Sequence, residues 1–216
     1  MAKYFNYFPK TFYTSDNNSS GVDSVTNIIS RFGFERQLKE NSSAFYPYQI
    51  QDSDTPEIVA DKYYDSPERH WIVLLFNDII DPQFDWPLNT RVLVNYIDAK
   101  YTANGAANDP VKTGLAWAMD PNNVQAYLKI ITTTSSDGLI TVNKYQLDGN
   151  TYQNVASVVN TYTTANNESV TIRITKETRS YYEYEVEENE KKREIRLLKK
   201  EFVPEIEKEF RKIIRA

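Results

Sequence analysis

The spacing of apolar and polar positions changes character several times along this chain, and the changes delimit its elements. Phe45–Ile50 (FYPYQI) is aromatic and β-prone, the pattern of a pleated strand with one buried face. Asp52-Ser53-Asp54-Thr55-Pro56-Glu57 then reads as a turn running into a helix start. Thr55 is placed as N-cap, Pro56 at the first helical position, and the acidic residues face the positive helix end. Ile58, Val59 and Tyr63 lie at one-turn spacing and predict a buried stripe. Ser66-Pro67-Glu68 repeats the start signal, and Trp71–Phe76 (WIVLLF) is apolar on nearly every side, which predicts the most buried helix. Asn77-Asp78 stops it. Val92–Tyr96 reads as a strand, with Arg91–Val94 returning to pair beside the first.

Upstream, residues 1–20 carry Tyr4, Phe5, Tyr7, Phe8, Phe12 and Tyr13 before the polar spacer Ser15–Gly21. Such a segment cannot build its own core and must pack on the body or on another protein. Val22–Phe34, with Val25, Ile28, Ile29 and Phe32 at helical spacing, predicts a short amphipathic helix ended by Gly33. Downstream, residues 102–114 read as a loop. Gln125–Thr133 alternates, Ser136-Asp137-Gly138 marks a hairpin turn before Leu139–Val142, and Asp148-Gly149 marks a second turn before Thr151–Val155. Val170–Thr175 is a further strand, with Tyr181–Val186 as an extension of the same lobe. From Glu187 to Ala216, Ile195, Leu198, Phe202, Ile206, Phe210 and Ile213 give one apolar stripe on a charged helix, kinked or restarted at Pro204. The fold class is therefore α+β. An aromatic arm and short helix occupy 1–44 and a βααβ module 45–98. A loop and antiparallel β lobe follow over 99–180, then a strand and amphipathic helix over 181–216.

Composition narrows the function. The formal net charge of −5 argues against general nucleic-acid affinity. With no cysteine and one histidine, disulfides, thiolate sites and histidine-rich metal clusters are excluded within one chain. Met1–Phe5 opens without a secretory apolar region, and the longest apolar run is too short to span a bilayer. A cytoplasmic origin is expected, and the Asn-x-Ser matches at Asn18, Asn41 and Asn167 count as chance. The 16 tyrosines suit either strands or interfaces.

No chemistry stands out. His70 lacks a marked nucleophile to serve and reads as structural. Asp81, Asp85 and Glu57 could in principle supply paired carboxylates, but no spacing selects a pair. Asp52-Ser53-Asp54 lacks the glycine and distant glutamate of a calcium loop. Lys191-Lys192-Arg193 and Lys199-Lys200 are interleaved with Glu190, Glu194 and Glu201, the pattern of a solvated helix face. No catalytic, cofactor-binding or metal residue is therefore assigned.

The unit at 45–88 resembles a LysM module, through the Thr-Pro-Glu helix start, Ala60 with Tyr63-Tyr64, the Ser-Pro-Glu second start and the Asn77-Asp78-Ile79 exit. With its flanks it is similar to the LysM-containing baseplate wedge proteins of T4-like contractile-tailed bacteriophages. The residues that carry the likeness are His70-Trp71, Asn77-Asp78 and Asp81-Pro82…Trp86. The resemblance implies a virion protein of the tail baseplate, assembled in the host cytoplasm, which clamps and bridges wedge subunits without catalysis. The partners it implies are other wedge proteins, including the sheath-initiating lysozyme-like subunit, and copies in neighbouring wedges, with no nucleic acid and no membrane. Candidate interface residues are Tyr4, Phe5, Phe8, Phe12, Tyr13, Phe84, Trp86, Ile206 and Phe210. The alternative is a glycan module binding peptidoglycan between Gln51–Thr55 and Ile79–Leu88, which requires Phe84 and Trp86 exposed in an open groove. A cell-wall hydrolase ranks last.

Overall fold

The computed structural model describes residues 4–14, 21–29, 32–108, 113–165 and 168–215. Spacer residues 15–20, positions 109–112 of the expected loop, and two of the glycosylation-like matches, Asn18 and Asn167, lie outside the described residues. The chain forms two compact units, Met1–Asn89 with Glu190–Ala216, and Thr90–Asn189.

The first unit begins with a short ribbon, β1 (Lys10–Tyr13) and β2 (Asp23–Thr26), then α1 (Arg36–Glu40) and β3 (Phe45–Gln49). The helices α2 (Pro56–Tyr64), α3 (His70–Phe76) and α4 (Pro82–Asp85) follow. The second unit runs α5 (Thr90–Asn108), α6 (Gly114–Met119), β4 (Val124–Ser135), β5 (Ile140–Leu147) and α7 (Gly149–Asn154). It continues through β6 (Val158–Thr163), β7 (Ser169–Ser180) and α8 (Tyr181–Lys191). The chain then returns to the first unit for β8 (Glu194–Leu198) and α9 (Val203–Arg215). The α+β class holds.

The strand–helix–helix–strand order of the first unit exists, but its closing strand is not where the local pattern put it. Antiparallel to β3 lies β8, in the register Phe45↔Leu198 through Gln49↔Glu194. Residues 91–96 are helical instead: Leu93, Ile97 and Tyr101 recur every four residues and are buried, so the 3.6 period overrides the β-branched composition. β8 in turn replaces the first half of the expected charged helix. Ile195, Leu197 and Leu198 are buried there, each contributing roughly 2 kcal/mol. A ladder hydrogen bond nets only about 1 kcal/mol, so packing decides the pairing.

Side chains lock the helices onto β8. The Tyr64 hydroxyl donates to the Leu198 carbonyl at 2.9 Å. Asn77, which caps α3, acts as a strand mimic: its amide nitrogen donates to Arg196 O and its amide oxygen accepts from Arg196 N, both at 2.8 Å. Thr55 caps α2 as expected, its Oγ1 accepting from Ile58 N. The buried stripe of α2 is Val59, Ala60 and Tyr64, with Ile58 exposed and Tyr63 half-buried. In α3, Trp71, Ile72, Val73 and Phe76 are all buried. Pro204 starts α9, whose Phe210 and Ile214 join the same core.

Other expected elements differ. The described part of 22–34 holds β2, because Ser24 and Val25 pair with β1 across the register Phe12↔Ser24 and Thr11↔Val25. Thr151–Asn154 lies in α7, nucleated by the Asp148 carboxylate, which accepts from Asn150 N and Thr151 N. Tyr181–Val186 begins α8 rather than a strand. Ser180 and Glu183 form a reciprocal capping box, with Glu183 Oε2 accepting from Ser180 N at 2.8 Å and Ser180 Oγ from Glu183 N at 3.2 Å.

The second unit is built on a four-stranded antiparallel sheet in the order β5-β4-β7-β6. Ala126, Leu128 and Ile130 of β4 are buried. The expected loop at 102–114 is largely helix, because α5 runs through Gly105 to Asn108 and Thr113 Oγ1 caps α6. The two helices meet at Gly114, where a Cβ would lie 2.1 Å from Asp98 O and 2.5 Å from Thr102 N. Asp98 Oδ1 accepts from Leu115 N at 2.8 Å, and Trp117 stacks on Tyr101 at 5.6 Å. Tyr101 and Lys100 both donate to the buried Glu185 carboxylate of α8 at 2.7 Å.

Because backbone rather than a flexible side chain blocks Gly114, Gly114→Ala is expected to destabilise the second unit by about 3 kcal/mol. Gly33→Ala, with nothing within 4 Å of the added carbon, should change stability by less than about 0.5 kcal/mol. Urea unfolding of the two variants checks the contrast.

Candidate protein interface

The residues singled out from the sequence divide into a buried set and an exposed set. Trp86 belongs to the first. It is 7% exposed, and its indole N–H donates to the Asp54 carbonyl at 2.9 Å. That bond joins the loop after β3 to the loop after α3, the two loops expected to flank a sugar groove. The Asp54 carboxylate braces the first loop from inside. It accepts from Tyr48 Oη and Lys62 Nζ at 2.6 Å each, and from Gln51 N at 3.0 Å.

Arg193 fastens both loops to the base of β8. It donates to Ile50 O and to the carboxylates of Asp52 and Glu190, and reaches Leu88 O at 3.4 Å. Lys192 Nζ donates to Phe84 O at 2.6 Å. The partly buried Arg193 thus ties the loops rather than lying on the solvated helix face expected, while Lys192 and Lys200, which pairs with Asp65, stay exposed as expected but flank a strand. The Trp86 indole is buried against the first of these loops, whereas the glycan alternative required it exposed in an open groove.

The aromatic arm is split in two. Tyr4–Tyr7 forms a helical turn that lies on the unit's own core: Tyr4 stacks on Phe210 at 5.2 Å and on Trp71 at 5.5 Å. Phe8 and Phe210 are core residues, Trp71 stacks on Phe210 at 4.7 Å, and Ile206 packs against the same cluster. Of the candidate interface residues, Phe8, Trp86 and Phe210 are thus buried within the chain itself. Phe5, Phe12, Tyr13 and Phe84 are exposed, Phe12 at 79% and Phe84 at 64%.

Within the first unit, exposure is concentrated around the ribbon. All eight residues of β1 and β2 are exposed, as are Val22, Ile28 and Ile29 beside them. Val25, Ile28 and Ile29 are surface residues that sequence reasoning assigned to a helical stripe. The available signal was Ser24-Val25-Thr26, a β-favouring triplet too short to outweigh the helical spacing. Next to the ribbon lies an apolar groove of about 510 Å³, lined by Phe5, Ile28, Trp71, Leu75, Ile79 and Ile80 among others.

The carboxylates and histidine weighed for chemistry serve local structure. Asp81 Oδ1 caps α4 through Gln83 N, and Asp85 Oδ2 accepts from Asp81 N. The His70 ring lies 3.0 Å from the Pro67 carbonyl through Nδ1. Among the described residues no group of three or more His, Asp or Glu could hold a metal ion, and no helix is long and apolar enough to cross a membrane.

Titration of the loop brace sets its pH range. Burial raises the Asp54 pKa, but the bonds from Lys62, Tyr48 and Gln51 outweigh burial and hold it below 3.8. Its contribution is thus present above pH 3.8 and lost as pH falls through the lower folded value. The Tyr48 phenol is pushed from 10.0 up to about 12, by burial and then by the Asp54 carboxylate. That contribution is full below pH 10 and lost as pH rises towards about 12. Tyr48→Phe should flatten the alkaline fall in urea stability, and Asp54→Asn should flatten part of both falls. Trp86→Ala should cost about 3–5 kcal/mol at neutral pH, measured in the same way.

No curated protein matches the chain. A family model does, over residues 3–213, and so spans both units, the loop brace and the exposed ribbon. With that match the chain belongs to the family described as Base plate wedge protein 53, and it is a structural protein of the phage tail baseplate.

Proposed function

We propose that the chain is a non-enzymatic wedge subunit that clamps and bridges neighbouring wedge proteins while the baseplate assembles. The observation that carries this reading is the β1–β2 ribbon. A lone two-stranded ribbon is marginal in water, and this one presents Phe12 and Tyr13 at 79% and 60% exposure. Contact with another protein would supply the missing burial, with Phe5 and Phe84 as further candidate contacts. The partners are other wedge subunits, including the sheath-initiating lysozyme-like subunit, and copies of the chain in neighbouring wedges. Assembly takes place in the host cytoplasm, without nucleic acid or membrane.

The βααβ order closed by β8 fits a LysM-like module, and the second reading is glycan binding in its groove. The Trp86–Asp54 bond favours the first reading. A saccharide between those loops would have to displace a buried indole, and removing a large buried aromatic costs about 3–5 kcal/mol.

Co-purification separates the two. Tagged chain should retain wedge subunits and bind no insoluble peptidoglycan. Phe12→Asp with Tyr13→Asp should lower wedge recovery at least tenfold while leaving thermal unfolding of the chain unchanged. Saturable peptidoglycan binding with no wedge protein retained would overturn the clamp.

A further inference from the structure

The β1–β2 ribbon hangs between two pins in the core of the first unit. Ahead of β1, Phe8 is buried, with Tyr4 and Tyr7 half-buried against the same cluster. Beyond β2, Phe32 meets Trp71 and Phe210 edge-on, at 6.0 and 5.3 Å. Between the pins every residue of β1 and β2 is exposed. Among the described residues, the backbone hydrogen bonds of 4–14 and 21–29 stay within that segment. Phe8 N donates to Phe5 O and Asn27 N to Pro9 O, beside the β1–β2 ladder. The helical turn meets the core through rings: Tyr4 on Trp71 and Phe210, Tyr7 and Phe8 on Phe210, and the Arg211 guanidinium over Tyr7 at 4.9 Å.

This seam is loosely filled. The groove of about 510 Å³ and a second hollow of about 270 Å³ both have Tyr4 in their walls, the first with Phe5 and Leu75, the second with Tyr7 and Arg69. Each hollow therefore borders the turn and the core at once, and its lining forgoes the dispersion contacts of a close-packed interior. The β3–β8 closure of the same unit is built differently, from a five-residue ladder over the buried Leu197 and Leu198. Local opening starts where buried apolar contacts are few, which here is the seam under the turn.

We infer that the turn and ribbon form a strap, with Phe8 as its latch, that lifts off the core as one piece while β3 and β8 stay paired. Lifting leaves the ribbon tethered at its Phe32 end alone, so it samples a wider range of positions than the closed strap allows. On the reading that the ribbon is the docking surface, the strap supplies its regulation. A wedge subunit that binds the ribbon better in the lifted position shifts the strap towards open, and the open fraction limits its apparent affinity.

Trp71 reports the strap directly, because Tyr4 stacks on it when the strap is closed. Trp86 is the control within the same unit, buried with its indole on Asp54 O. Fluorotryptophan incorporation labels the three tryptophans, and single Trp→Phe variants assign the fluorine signals. Relaxation dispersion on the chain alone should show Trp71 exchanging on the microsecond to millisecond scale while Trp86 does not. Phe8→Ala should raise the open fraction roughly tenfold or more, moving the Trp71 signal and leaving that of Trp86 in place. With a wedge subunit bound, the wild-type Trp71 signal should move the same way. Trp71 and Trp86 exchanging together would mean that the turn melts only with the core, which overturns the proposal. So does a Trp71 signal that neither exchanges nor moves in Phe8→Ala, or a complex in which it stays at the closed position. Should Phe8→Ala fail to fold, Tyr4→Ala and the wild-type dispersion make the same comparison. A chain whose Trp71 exchanges but which retains no wedge subunit refutes the clamp and leaves the strap, so the two fail separately.

Discussion

The first unit depends on one long-range pairing, β3 with β8. Neither strand is stable without the other, and α2 and α3 are fastened to β8 rather than to their neighbours in sequence: Tyr64 reaches Leu198 O, and Asn77 reaches both backbone groups of Arg196. Take β8 away and the helices lose their anchor, the two loops lose Arg193, and the Tyr4–Trp71–Phe210 stack loses the segment that delivers α9. A single five-residue strand thus integrates parts of the chain about 150 positions apart.

The same dependence explains what could be read in advance. Helix ends were legible because their capping is local: Thr55 Oγ1 accepts from Ile58 N, and the Asn77 amide donates to Val73 O as well as reaching β8. So was the β4–β5 hairpin, set by Ser136-Asp137-Gly138, where Gly138 takes φ +85°. The closing strand was not legible. Ile195, Leu197 and Leu198 are spaced ambiguously between strand and helix, and only the distant β3 edge resolves them. Arg91–Val94 looked better as a strand by composition, but Leu93, Ile97 and Tyr101 set a helical face. The Ser180–Glu183 capping box was present in the sequence and was outweighed by the tyrosines that follow it.

The candidate surface was legible as composition but not as geometry. Tyr4, Phe5, Phe8, Phe12 and Tyr13 form one aromatic run, yet the core takes Phe8 and stacks Tyr4 while Phe12 and Tyr13 remain outside. What separates them is the step from a helical turn, which points side chains inward at Phe210, to a ribbon that leaves the core. Trp86 and Phe84 divide in the same way, two residues apart. Aromatic content marks a segment as adhesive, and only the backbone path says to what.

The nested topology also fixes an order of events during synthesis. A ribosome must have delivered the whole of Thr90–Asn189 before β8 emerges to meet β3. The inner unit can therefore complete its sheet while the outer unit still waits with β3, α2 and α3 unanchored. During that interval the apolar faces of α2 and α3 are exposed on a nascent chain that cannot yet bury them. The outer unit, which carries the ribbon, is consequently the last part of the molecule to mature, so translation itself delays the display of an ordered surface to other proteins.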